Sequence, residues 1–352
     1  MPLLTTTIGA YPKPDYVPVI DWFRAEDSTV TEDPTAHYDA ELVAMGAGAE
    51  DIFRRAAGDV IAEQIACGID IPTDGEVRRE NYIHYHCRQL DGIDFSDLSE
   101  IELREGAYKA RLPTITAQII AKGHFLPHDF RVAQALTDRP VKVTLPGPMT
   151  IGDTLADNYY RDEKKRGEDI ATALNAEVLA LASAGCRYIQ VDEPLFARKA
   201  EAAISFGIEN LERVFHGCPE GVTRTMHMCC GYPDCLDSTD YPKAPMESYR
   251  QLAEALDASS IMAVSLEDAH RHNDLSLLDI FTDTTIILGV VAIASSRIET
   301  VEEIRQRLIQ ALEHIGPHRL IAAPDCGLGM LDRDSVIAKL TNLCEAAHSV
   351  VS

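Results

Sequence analysis

The stretch Thr225-Met226-His227-Met228-Cys229-Cys230-Gly231 puts an imidazole and a thiol two residues apart at the end of a β-rich run. Side chains alternate along a strand, so His227 and Cys229 face one way and Met228 the other. Imidazole nitrogen and thiolate sulfur side by side are good ligands for Zn²⁺. Two later stretches, Ser265-Leu266-Glu267-Asp268 and Pro324-Asp325-Cys326-Gly327, each close a hydrophobic, strand-like run. Taken as one site, His227, Cys229, Glu267 and Cys326 supply one nitrogen, two sulfurs and one oxygen, enough for a tetrahedral ion. Two thiolates and a carboxylate outweigh the ion by one charge, which makes such a centre a poor activator of water. It suits a different reaction, in which a substrate thiol displaces the weak oxygen ligand, loses its proton at neutral pH and attacks an alkyl carbon. Each residue alone also reads blandly, Cys229 and Cys326 as buried free thiols and His227 as a core histidine. Their shared position at strand ends is what argues for a site. Cys230 points to the opposite face if the strand persists, and Met226 and Met228 read as core.

Other strand ends carry polar groups. Asp192-Glu193-Pro194 offers carboxylates either to grip a substrate ammonium or to cap a helix, and with Pro194 following, one can do each. Asp74-Gly75-Glu76 poses the same choice, and the N–H groups of Thr7-Ile8-Gly9-Ala10 suit an anion such as a carboxylate. The run Asp268-Ala269-His270-Arg271-His272-Asn273 holds two histidines, each either a proton shuttle or a solvated loop residue. Gly147, between two prolines, reads as a rigid turn.

The elements that must position these groups are eight strand candidates at residues 3–10, 70–73, 141–145, 187–191, 222–228, 261–266, 285–293 and 320–323. Helical spacing fills 50–67, stopping at Gly68, and then 168–184, 249–256, 301–314 and 334–347. Thr300 followed by Glu303 looks like a capping box. Eight strands alternating with helices predict an α/β fold, a (β/α)₈ TIM barrel with insertions after strands 1 and 2. The first insertion, 21–39, is acidic, holds the only tryptophan, Trp22, and reads as a loop or lid; the second spans 77–139. In a barrel the chemistry sits at the C-terminal rim, where these residues fall. The rival is an open doubly wound sheet, but neither G-x-G-x-x-G nor a Walker A stretch supports it. No repeat or low-complexity linker divides the chain, so residues 1–352 are expected to form a single zinc-dependent barrel domain.

A formal charge of -24 repels nucleic acid and anionic membrane, so neither is an expected partner. No run of about 18 apolar residues predicts a transmembrane helix, and the start MPLLTTTIGAYPKPD does not read as a signal peptide. Nine scattered cysteines suggest a reducing, cytoplasmic setting rather than a disulfide framework.

The ordered set of Thr5-Thr6-Thr7-Ile8-Gly9-Ala10-Tyr11-Pro12, Asp74-Gly75-Glu76, Gly147-Pro148-Met149-Thr150, Gln190-Val191-Asp192-Glu193-Pro194, His227-Met228-Cys229, Ser265-Leu266-Glu267, Ser295-Ser296-Arg297-Ile298 and Pro324-Asp325-Cys326-Gly327-Leu328 resembles the catalytic barrel of the cobalamin-independent methionine synthase family nearly end to end. The resemblance implies zinc on His227, Cys229, Glu267 and Cys326. It also implies homocysteine held by the Ile8, Gly9 and Ala10 backbone, Glu76 and Asp192, with its thiol taking a methyl group from a donor. Asp192 is a catalytic candidate as well. Departures cluster on the donor side. Ile151-Gly152-Asp153-Thr154 lacks the tryptophan that follows in the family, the family's Asp-Ile-His is Ala292-Ile293-Ala294, and an acidic position is Arg198. His270 or His272 is the expected replacement for the missing histidine. The expectation is therefore a methyltransferase making methionine from homocysteine, with methyl-folate or another compound as donor. The alternative is a zinc alkyltransferase acting on another thiol, such as an epoxyalkane:coenzyme M transferase, with Arg198 as the cation for a sulfonate. A non-catalytic zinc-binding or methyl-carrier protein is a third reading. A homodimer and a methyl-delivering partner protein are both open on sequence.

Overall fold

The computed structural model describes residues 2–19, 34–103, 108–231, 235–238 and 243–350. Ten strands are named in chain order: β1 (Leu4–Thr5), β2 (Leu90–Leu103), β3 (Tyr108–Ala121), β4 (Lys142–Pro146), β5 (Ala156–Asp157), β6 (Tyr188–Asp192), β7 (Thr223–Met228), β8 (Ala263–Glu267), β9 (Thr285–Val291) and β10 (Leu320–Pro324). Seven of them form one curled, parallel sheet in the order β1-β10-β9-β8-β7-β6-β4. From β4 to β10 each parallel strand lies beside the next one in the chain. The sheet therefore lacks the reversal of strand order that marks a doubly wound fold. The two edge strands meet the segment between them only through isolated parallel bridges, Thr6 with Ile71 and Thr73 with Lys142. The strand expected at 70–73 is reduced to these bridges because Pro72 has no N–H for a ladder; its carbonyl still accepts the Lys142 N–H at 2.9 Å.

The second insertion is a long antiparallel hairpin, β2 with β3, extended by β5. Of the segment 21–39, read as a loop or lid, residues 21–33, including Trp22, lie outside the described residues, while 34–39 open the helix Pro34–Met45. The helix Ala49–Cys67 ends at Gly68, whose φ of 108° is the left-handed C-cap. The helix Glu163–Ser183 begins five residues before the apolar spacing does, because the Asp162 carboxylate accepts the Lys164 and Lys165 N–H groups. Among the described residues no helix is long and apolar enough to cross a membrane.

Inward-facing side chains change character along the sheet. Ile8, Ala263, Ile287 and Ala323 pack as a small apolar plug inside the curl. Toward the C-terminal ends the buried groups become polar: Gln190 and Asp192 on β6, Thr225 and His227 on β7, Ser265 and Glu267 on β8. The rim is braced from outside by the helix Val301–Ala311. Its Arg307 donates from Nη2 to the fully buried Asp268 at 2.8 Å, next to Glu267. That helix opens on the expected capping box: Thr300 Oγ1 accepts the Glu303 N–H at 3.3 Å, and Glu303 Oε2 accepts the Thr300 N–H at 2.9 Å. Thr300→Ala should cost about 1 kcal/mol of stability, read as a lower denaturant midpoint. An unchanged midpoint would mean that the box does not support the helix.

Candidate active site

Two strand ends, those of β7 and β10, bring His227, Cys229 and Cys326 together, with one ligand atom of each lying within 4.8 Å of the others. In register, Asp192 stands beside His227 and His227 beside Ser265, so β6, β7 and β8 present one row of inward groups. The Ser265 hydroxyl sits 2.9 Å from His227 Nδ1. With Nδ1–H donating to Ser265, the lone pair of Nε2 points toward Cys326 Sγ, 3.4 Å away. Burial pushes the His227 imidazole down to about 3, so it stays neutral, as a metal ligand must be. The Cys229 thiol is raised first by its hydrogen bond with Cys326 and then by burial. For Cys326 the bond with Cys229 lowers the thiol, but burial and the Glu267 charge outweigh it. Glu267 is itself raised well above the carboxylate range, by burial first and by Cys229 next.

Glu267 lies outside the compact trio, yet its side chain hydrogen-bonds Cys229 and its Oε2 accepts the Cys230 N–H at 3.0 Å. Two thiols and a carboxyl thus crowd a buried point where none is comfortable as an anion. A divalent soft-to-borderline cation resolves that conflict, and the N, S, S, O donor set fits it. Ser265→Ala should weaken metal affinity by roughly 10- to 100-fold, the usual effect of removing a group that orients a histidine ligand. Competition with a chelator measures it; unaltered affinity would show that Ser265 does not set the imidazole.

The other rim residues form a second cluster. Asp192 is buried, and among the described residues its carboxylate accepts one hydrogen bond, from Gln190 Nε2 to Oδ1 at 2.7 Å. Burial and then the charge of Glu76 hold its carboxyl well above the usual range. Glu76 adopts a left-handed φ of 58°, with its N–H on Asp74 Oδ1. Its Oε1 accepts from Arg79 Nη1 at 3.0 Å and Thr144 Oγ1 at 2.6 Å. Gly9 is required beneath it, since a Cβ there would come within 2.5 Å of Glu76 Oε1. The carbonyls of Ile8, Gly9 and Ala10 are taken by Gln190 Nε2, Thr73 Oγ1 and the Leu328 N–H. Their N–H groups make no hydrogen bond to another described residue. Glu193 does the capping: it accepts from the Met149 and Thr150 N–H groups at 2.9 and 3.1 Å, at the start of the helix Pro148–Asp153. Gly147 permits that approach, because a Cβ there would meet the Glu193 carboxylate at 2.2 Å.

The two histidines differ. His270 Nδ1 lies 2.7 Å from Asp325 Oδ2, and its Nε2 accepts the Ala294 N–H at 3.1 Å. His272 is 67% exposed, 3.4 Å from Asp268. Cys230 faces away, its thiol 2.9 Å from the Tyr249 hydroxyl, as strand alternation expects. Arg198 is exposed at the end of the helix Pro194–Arg198. A cleft of about 760 Å³ opens among the described residues, lined by Lys243, His270, Ala292, Ala294 and Arg297 with others.

Sequence reasoning missed several supporting groups. Ser265 and Gln190 stand two residues before Glu267 and Asp192, on the same strand faces, and that spacing was the available signal. Asp325 gave none: its carboxylate gathers the N–H groups of Asp268, Ala269 and His270 at 2.7–3.0 Å, joining two rim loops distant in sequence. Lys142 was also missed. It is buried, with Nζ unpartnered among the described residues, and burial draws its ammonium down to about 7 while Asp192 opposes the shift.

A family model described as the catalytic domain of cobalamin-independent synthase matches residues 3–205 and 245–349. The chain belongs to this family. It is accordingly an enzyme of the methyltransferase class. The chain is similar to the methionine synthase of Saccharolobus solfataricus, at 29% identity over 99% of this chain and 96% of the relative. The methionine synthase of Sulfolobus acidocaldarius is 27% identical over 97% and 90% of the two chains. Among solved structures, a B12-independent methionine synthase from a Shewanella species, in complex with selenomethionine, superposes with a TM-score of 0.83. It shares 27% identity and is matched over 99% of this chain and 97% of that one. The span matched by the family model takes in the carboxylate cluster, Glu267 and Cys326, and leaves out the His227–Cys229 stretch.

Proposed function

We propose that this protein is a zinc-dependent methyltransferase that moves a methyl group to the thiol of homocysteine, forming methionine. The observation that carries the reading is the convergence of His227, Cys229 and Cys326 within 4.8 Å, beside Glu267 and next to the Asp192 and Glu76 carboxylates. His227, Cys229, Glu267 and Cys326 would hold the ion. When bound, zinc here would acidify an added thiol while leaving its sulfur electron-rich enough to attack a methyl carbon.

The chain's own residues do the rest. Glu267, tied to the Cys230 N–H and Cys229, would be the weak oxygen donor to the ion, the one to give way to a substrate sulfur. Asp192 and Glu76 hold the substrate ammonium, whose charge relieves their mutual repulsion. The N–H groups of Ile8, Gly9 and Ala10, which bond no other described residue, receive the substrate carboxylate. In the transfer the S–H proton leaves, an S–CH₃ bond forms, and the methyl–donor bond breaks with its electron pair going to the donor. Methyl-folate or another methyl compound fills that role, entering by the cleft that Ala292 and Ala294 line. Once the Ala294 N–H releases it, His270 Nε2 takes up a proton from solvent and passes that proton to the departing donor. We read the sheet as one eight-stave barrel over residues 1–352, with 71–73 as the second stave. The family relationship and the acidic charge of -24 agree with a cytoplasmic enzyme.

The test is methionine formation by zinc-replete protein given homocysteine and a panel of methyl donors, methyl-folate included. Methionine from at least one donor is expected. Turnover of coenzyme M but not homocysteine would overturn the assignment; Arg198, the cation expected for a sulfonate, is exposed at the end of the helix Pro194–Arg198.

A further inference from the structure

Residues 8–10 follow β1, and Asp192 ends β6, yet β1 and β6 are not neighbours in the sheet. One side chain joins the two across the inside of the curl. Gln190, fully buried on β6, donates from Nε2 to the Ile8 carbonyl at 2.7 Å and to Asp192 Oδ1 at 2.7 Å. Both protons of the amide nitrogen are thereby spent, one on each side. Its Oε1 has no partner among the described residues. Turning the amide over would set oxygen against the Ile8 carbonyl, so the orientation that leaves Oε1 unbonded is the one the bridge requires. A buried polar atom without a partner costs stability, and such costs persist where function asks for them. The carbonyls of Gly9 and Ala10 are also held, by Thr73 Oγ1 at 2.8 Å and the Leu328 N–H at 2.7 Å. Of these ties, only the one from Gln190 continues to Asp192.

Resting on the acceptor reading above, we propose that Gln190 is a positioning residue that sets the spacing between the two halves of an α-amino-acid site, and so selects a thiol that carries both an amino and a carboxylate group. In an α-amino acid the ammonium and the carboxylate hang from one carbon, so the groups that receive them must keep one separation. In that reading Asp192 receives the ammonium, and the N–H groups of residues 8–10 receive the carboxylate. The Ile8 carbonyl and the Gly9 N–H belong to one planar peptide unit, so holding the carbonyl fixes the N–H, which points the opposite way. The two N–H bonds of an amide diverge at a fixed angle, so Gln190 locks the Asp192 carboxylate and that peptide unit into one frame. A thiol with only one of the two groups gains little from the frame, because it can settle on a single receiver.

Gln190→Met keeps the length of the side chain and removes the bridge. Three thiols report on it: homocysteine, 4-mercaptobutyrate, which lacks the amino group, and 3-aminopropane-1-thiol, which lacks the carboxylate. Binding is read by titrating the Co²⁺-substituted protein and following sulfur-to-metal absorption. Wild type should bind homocysteine more tightly than either truncated thiol, and the absence of that preference overturns the proposal. In the variant homocysteine should bind about tenfold or more weakly, the effect of losing a hydrogen bond to a charged group. The truncated thiols should lose less, so the preference for homocysteine over both should shrink. Zinc content should stay at the wild-type level, since Gln190 hydrogen-bonds none of the candidate ligands. A purely structural role would weaken all three thiols alike, and that result overturns the proposal. So does an equal loss confined to the two amino thiols, which would make Gln190 a support for Asp192 alone, and so does unchanged affinity for homocysteine. If the Met variant does not fold, Gln190→Leu is read by the same criteria. Wild-type protein that binds none of the three thiols would instead sink the acceptor reading itself.

Discussion

Cys326→Ser is expected to purify with little or no zinc and to lose methyl transfer by at least about two orders of magnitude. Removing a group outside the ligand shell already costs 10–100-fold, so losing a ligand should exceed that. The serine hydroxyl remains protonated at neutral pH and is a hard donor, so it replaces neither the charge nor the softness of sulfur. The loss should not come from unfolding. Cys326 lies just past β10, half-buried, and the strand is held by its ladder to β9 rather than by this side chain. The variant should therefore melt close to metal-free wild type. Elemental analysis and turnover check the expectation together, and a full zinc content with ordinary turnover would remove Cys326 from the site.

Asp192→Asn should raise the KM for homocysteine by roughly 10- to 100-fold, the range expected when a hydrogen bond to a charged group loses its charge, while zinc content stays at the wild-type level. Its stability should move the other way. Burial and Glu76 hold the folded-state pKa of Asp192 above its unfolded value. The unfolded chain therefore ionises first as pH rises, and this group withdraws stability from the ligand-free protein above the unfolded carboxylate pKa. At neutral pH the asparagine variant should be at least as stable as wild type, even though it binds substrate less well. Weaker zinc retention or a marked loss of stability would instead make Asp192 a structural residue.

Much of this was legible in the chain because parallel strands buried on both faces announce themselves as apolar runs, and β4, β6, β7, β8, β9 and β10 all lie within two residues of where such runs occur. The pairing of His227 with Cys229 follows from strand alternation alone. Their meeting with Cys326 followed only from assuming a curled sheet. What stayed hidden depended on three-dimensional packing. Pro72 broke the ladder of a segment whose composition looks like a strand. Glu193 capped a helix from the neighbouring strand end rather than its own, which no local pattern reveals. Asp325 acts across the sheet on groups distant in sequence, and no local pattern announces such a role. His270, expected along with His272 as a replacement for the family's histidine, shows the limit of such reading. His270 is singled out in the sequence by residue type and nearness to Glu267, but its ring is clasped between Asp325 and the Ala294 N–H, a placement only the fold determines.

The most direct test of the central claim is zinc-edge X-ray absorption on the purified protein, before and after homocysteine is added. His227, Cys229, Glu267 and Cys326 as ligands require zinc with two sulfur neighbours, rising to three as the substrate sulfur displaces the Glu267 oxygen. Zinc absent from metal-replete protein, or a sulfur count that stays at two with homocysteine saturating, would contradict it.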